Sequence, residues 1–139
     1  MAGRVGVALL LILLGVVSAG SAVELPAADL WTRANAAADA GDVEEANHRL
    51  AELIEQGSRT GIERYPLLAV SAASLAEQAQ SEDNDALSEW AIGAAVRLDP
   101  TSPTVAFSAA DLARRRGDWP AALKSVLSGL MKITRDYTS

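Results

Sequence analysis

The chain has 139 residues; half are apolar, 4% are aromatic, none is cysteine, and the formal net charge is −6. Without cysteine there is no disulfide, no thiolate metal site, no cysteine nucleophile and no lipid-bearing cysteine. An acidic chain does not attract nucleic acid or an anionic membrane surface, so nucleic acid is not an expected partner. Alanine supplies 28 residues. Small side chains in that number suit closely packed helices better than strands, which favour β-branched and aromatic residues.

Met1 to Arg4 carry positive charge, residues 5–17 are apolar apart from Gly6 and Gly15, and residues 18–22 are small. That order is the pattern of a secretory signal. Gly20, Ser21 and Ala22 suit signal peptidase, which places the cut after Ala22 and the mature domain at residues 23–139. The chain is then periplasmic or secreted. The rival is an uncleaved anchor over residues 5–23, since about 20 uncharged residues can span a bilayer. Gly15, Ser18, Gly20 and Ser21 weaken it at one end. Membrane contact is expected only through such an anchor.

The mature part reads as helical throughout. Leu30 and Trp31, then Leu50, Leu53 and Ile54, recur at helical spacing. Leu67, Leu68 and Leu75 follow, then Leu87, Trp90, Ala91, Ala94 and Leu98. Val105, Ala106, Ala109 and Leu112 precede a last set of Val126, Leu127, Leu130 and Met131. Pro66 and Pro103 suit helix first turns, Ser102 suits an N-cap, and Asp99-Pro100 stops a helix. The reading is six helices in three antiparallel hairpins, near 27–40 and 43–56, 64–80 and 84–98, 103–116 and 119–135.

The hairpin turns share a frame. Gly41-Asp42-Val43 with Ala46 matches Gly117-Asp118-Trp119 with Ala122, 76 residues on. Glycine takes the left-handed conformation that ends a helix, and the following Asp caps the next one. Asp42 and Glu45 have capping-box spacing. A middle copy is expected at Asn84-Asp85-Ala86-Leu87, which supplies the Asp and the apolar position, with Ser81 to Asp83 in place of the glycine, for a period near 38.

These motifs resemble the tetratricopeptide repeat, a 34-residue helix–turn–helix with small residues in its first helix and Gly-Asp-aromatic at its turn. The last hairpin carries most of the likeness, at Ala109, Ala110, Ala113, Gly117, Asp118, Trp119 and Ala122. Trp31, Gly41, Asp42, Ala46 and Leu53 carry it in the first. The resemblance implies a short α-solenoid whose first helices line a groove for a protein or peptide. Carried over by position, the groove residues are Trp31, Asn35, Phe107, Asp111, Arg114 and Arg115. Trp31 stands where the family's carboxylate clamp has lysine, which argues against a C-terminal carboxylate ligand. Trp31 and Phe107 are open to either reading, ligand anchor or core. Trp119 reads as structural, with a large loss of stability expected on truncation.

No catalytic, cofactor or metal constellation stands out. His48 is the single histidine, lies mid-helix and has no partner motif. Glu82-Asp83-Asn84-Asp85 lacks the glycine and distant glutamate of a calcium loop and reads as a capped, solvated turn. Arg114, Arg115 and Arg116 point about 100° apart on a helix, so they form no single flat patch. From Val23 to Asp99 the net charge is −10, and from Pro100 onward it is +3. The last third is thus the better place for an anionic partner. Its final helix carries Val126, Leu127, Leu130 and Met131, more apolar surface than an alanine-rich neighbour covers, and is expected to be a docking stripe. The function expected is a non-enzymatic scaffold binding a protein or peptide. The alternative is an N-terminal assembly or sensor module of a larger envelope enzyme or membrane machine.

Overall fold

The computed structural model describes residues 25–138, and the expected signal segment with its cleavage point lies outside them. Among the described residues there are six helices and no strand: α1 (Ala27–Asp39), α2 (Val43–Thr60), α3 (Pro66–Ser81), α4 (Asp85–Leu98), α5 (Pro103–Arg115) and α6 (Trp119–Thr138). Each odd helix packs along the even one that follows, giving the three expected hairpins. No described helix is long and apolar enough to cross a membrane.

Local chemistry sets the helix ends. Pro66 and Pro103 occupy first turns, where a missing N–H costs nothing. Ser102 accepts from the Val105 N–H at 3.2 Å. Asp42 accepts from the Glu45 N–H at 3.1 Å, but the Glu45 carboxylate turns to Arg49 at 2.7 Å, so only half of the capping box forms. Helix α2 runs past its expected end at residue 56, through Gly57, and stops at Gly61, whose φ is +82°. Gly57 is buried and tolerated inside the helix because a Cβ there would strike the Tyr65 hydroxyl and the Ile62 carbonyl.

The three hairpin turns are built alike. Gly41, Asp83 and Gly117 hold the left-handed position, with φ of +85°, +58° and +78°. The next residue, Asp42, Asn84 or Asp118, donates its N–H five residues back to Ala37, Ala79 or Ala113 at 2.8–2.9 Å. Its side chain then caps the following helix through the N–H of Glu45, Leu87 or Ala121. The cap of the expected middle copy is therefore corrected by one residue, to Asn84 from Asp85, and of Ser81 to Asp83 it is Asp83 that takes the glycine's place. Asp is one of the few residues with a side chain that tolerates this conformation. The turn-to-turn spacings are 42 and 34 residues, rather than an even 38.

With the turns aligned, small residues recur inside. Ala34, Ala76 and Ala110 lie seven residues before each turn, and Ala46, Ser88 and Ala122 five after; all six are buried. Absent side-chain bulk lets paired helices approach closely. Ser88, the polar one, donates its hydroxyl to the Ala76 carbonyl at 2.9 Å, so its burial leaves no donor unpaired. The most completely buried large apolar side chains, Leu50, Leu53, Leu98 and Leu112, each contribute about 1.5–3 kcal/mol by leaving water.

Stacking between hairpins is uneven. The first hairpin meets the middle one chiefly through α4, which contacts both α1 and α2. The third meets the middle one through α5, which contacts both α3 and α4. Trp90 of α4 carries the first junction: its ring stacks on Trp31 with centroids 5.7 Å apart and planes 10° off parallel. Its indole N–H donates to the Asn47 side chain at 3.0 Å. At the second junction Gln80 donates to the Leu112 carbonyl at 3.2 Å, and Arg116 reaches Glu89 at 3.6 Å.

Candidate functional site

The fold divides the residues expected to line one groove. Trp31 is 8% exposed and held by Trp90 in the core, so the carry-over of a groove position to it is corrected. Its helix packs on α2 and α4, and half-buried Asn35 does not line the cleft that gathers the remaining candidates. Phe107, Asp111, Arg114 and Arg115 stay together on one face of α5, at spacings of four, seven and eight residues.

Three of these four line a cleft of about 380 Å³ between α5 and α6. Phe107, Ala110, Asp111 and Arg114 form one wall, and Trp119, Ala122, Leu123 and Val126 the other. Phe107 leans across to α6, where Gly129 makes room for it; a Cβ on Gly129 would lie 2.8 Å from the ring. The cleft is apolar at its floor and charged on one rim. There Asp111 is gripped by Arg114 at 2.7 Å and Arg115 at 2.5 Å. The hydrogen bond from Arg114 holds the Asp111 carboxyl below the ordinary carboxylate range, against a smaller opposing effect of desolvation.

Trp119 is 64% exposed, which corrects its expected role in the core. It opens helix α6 on the solvent side of the turn, and Val43, at the same place in the first turn, is exposed too. The position lies outside the hairpin interface in both.

The expected docking stripe is exposed at Leu127, Leu130 and Met131 (68%), while Val126 is half-buried in the cleft wall. Trp119 and Leu123 extend it by two turns. Sequence reasoning left Leu123 out, although Leu123, Leu127 and Leu130 follow Trp119 at helical spacing. At 100° per residue, Trp119, Leu123, Leu127, Leu130 and Met131 span about a third of the helix circumference. A shallow depression lined by Leu127, Leu130, Met131, Thr134 and Arg135 continues the surface toward the end of α6.

The other side chains that stand out in the sequence have structural roles. His48 is exposed and sits 3.0 Å from Glu52 one turn on. The acidic run at residues 82–85 is the capped turn described above. No group of three potential metal-binding side chains is found among the described residues. Arg116 faces Glu89 while Arg114 and Arg115 share Asp111, so the three arginines form two separate contacts.

No family model, curated protein or solved structure matches this chain.

Proposed function

We propose that the protein is an exported helical-repeat scaffold that binds a protein or peptide through its third hairpin. One observation carries the reading. Counted from their turns, Leu123, Leu127 and Met131 of α6 stand where α2 has Asn47, Ala51 and Glu55. The α2 residues are exposed, as their α6 counterparts are. The hairpin therefore forms without large apolar side chains at these places, and their presence on α6 serves something outside it. A contiguous exposed apolar face of this kind marks an interaction site. The 34-residue spacing of the second and third turns supports a tetratricopeptide-like class, and the 42-residue spacing of the first two departs from it. The pattern of residues 1–22 supports export to the periplasm or beyond.

The test pairs the wild type with a Leu130→Gln, Met131→Gln variant as baits for the envelope fraction of the source organism. The expected result is a specific protein recovered by the wild type and lost by the variant, with equal melting temperatures. If the variant unfolds and the wild type recovers nothing, the stripe is core and the reading fails.

A further inference from the structure

Resting on that binding reading, we infer that the α5–α6 cleft receives a bulky aromatic side chain carried on a helix of an acidic partner protein, stacked on Phe107. The molecule contains its own template for this contact. Counted from the turns, Phe107 is the counterpart of Trp31, and Leu123 of Asn47. In the first hairpin these positions are where Trp90 of α4 lands: it stacks on Trp31 and hydrogen-bonds Asn47. In the middle hairpin the counterparts are Ala73 and Glu89; α5 packs on both helices that carry them, and Arg116, just after α5, reaches Glu89. Each of the first two clefts is thus covered by a helix of the following hairpin. The third is lined by an exposed aromatic ring and an apolar wall, and no described helix covers it.

Charge selects the occupant. The rim carries Arg114 and Arg115, with Asp111 as the anion between them. The stretch from Pro100 onward has a net charge of +3. The chain's exposed tryptophan, Trp119, belongs to this same basic hairpin, so a second copy presenting it would bring like charges together. A lipid surface supplies no ring to stack, and the acidic remainder of the body opposes an anionic bilayer. An aromatic anchor next to acidic residues, on a helix narrow enough to approach closely, fits both floor and rim. Helix α4 itself has that form, with Glu89 beside Trp90 and alanines around it.

The probe is a synthetic peptide with the sequence of residues 85–98, titrated into the protein purified from an exporting host and followed by calorimetry and by the NMR signals of the Phe107 ring. A second peptide carries Trp90→Ala. The tryptophan peptide is expected to bind about tenfold or more tighter than the alanine peptide and to shift the Phe107 signals. Phe107→Leu, which keeps an apolar side chain, should remove most of that difference. Arg115→Gln, at the charged rim, should weaken binding several-fold at low salt, with the effect fading at high salt. Equal affinity of the two peptides, or shifts confined to Leu127–Met131, overturns the aromatic anchor while leaving a helix-binding scaffold in place. Binding of neither peptide also overturns the inference; the envelope capture above then judges the scaffold reading separately. Phe107 shifts produced by anionic vesicles or by self-association, and not by peptide, assign the cleft to a membrane or to a second copy and overturn it as well.

Discussion

The first and third hairpins share a turn, a cap and a run of buried small residues, yet they use their aromatic side chains in opposite ways. In the first, Trp31 is closed over by Trp90, and Leu50 and Leu53 fill the interface behind it. In the third, Phe107 rests on Gly129, the counterpart of Leu53, and Trp119 and the leucines beyond it face water. The backbone frame is therefore indifferent to what lies on its outer face. What differs is whether a neighbouring helix arrives to bury it. A repeat hairpin gains much of its stability from such neighbours.

The largest expected effect separates the two tryptophans. Trp90 is 9% exposed and holds α1, α2 and α4 together, so Trp90→Ala should cost about 3–5 kcal/mol, a large share of a small domain's stability. Trp119→Ala should cost less than about 1 kcal/mol, because little of its surface leaves water on folding. Urea denaturation of both variants checks this. A large loss at Trp119 would mean that the third hairpin is closed by something in solution, and the contrast between the hairpins would disappear.

A smaller effect tests whether the three turns are equivalent. Asp83 pays for a left-handed backbone that Gly41 and Gly117 adopt without a side-chain clash. Asp83→Gly should therefore stabilise by a few tenths to about 1 kcal/mol, and Gly117→Ala should destabilise by about 1 kcal/mol. A Cβ at residue 117 would meet open space, so the second effect reports backbone conformation alone. Thermal denaturation decides it; equal and opposite shifts support one turn geometry repeated three times.

Helix number, pairing and most helix ends were legible because they rest on short-range chemistry: proline at first turns, Asp99-Pro100 after α4, and glycine followed by a carboxylate. The sequence puts the middle cap at Asp85, one residue beyond Asn84, because composition does not reveal which residue of Ser81 to Asp83 takes the positive φ. The sequence ends α2 near residue 56, before Gly57, because the close approach of Tyr65 that a small residue permits is a tertiary fact. The fates of Trp31 and Trp119 depend on which hairpin face the next helix covers. Helical spacing alone is the same for both, so the buried ring and the exposed one were not distinguishable. The stripe on α6 was legible because its apolar residues outnumber what an alanine-rich partner helix can cover.

The smallest expected effect lies on the cleft rim, where the two hairpins carry Asn35 and Asp111 at equivalent positions. Hydrogen bonding from Arg114 lowers the folded-state pKa of Asp111, so the folded state favours the ionised form more than the unfolded chain does. Its contribution to stability is then complete above the ordinary carboxylate pKa and is lost as pH falls through the lowered folded value. The groups are largely solvent-accessible, so the contribution is that of a surface ion pair, below about 1 kcal/mol and screened by salt. Asp111→Asn gives the third hairpin the amide of the first. Melting temperatures of wild type and variant, compared from pH 7 downward at low salt, should differ slightly at neutral pH and converge in acid as Asp111 protonates. Other carboxylates titrate over the same range in both proteins, so only the difference between the curves carries the signal. A difference that grows in acid would show that the carboxylate opposes the fold and that the arginines are held by something else.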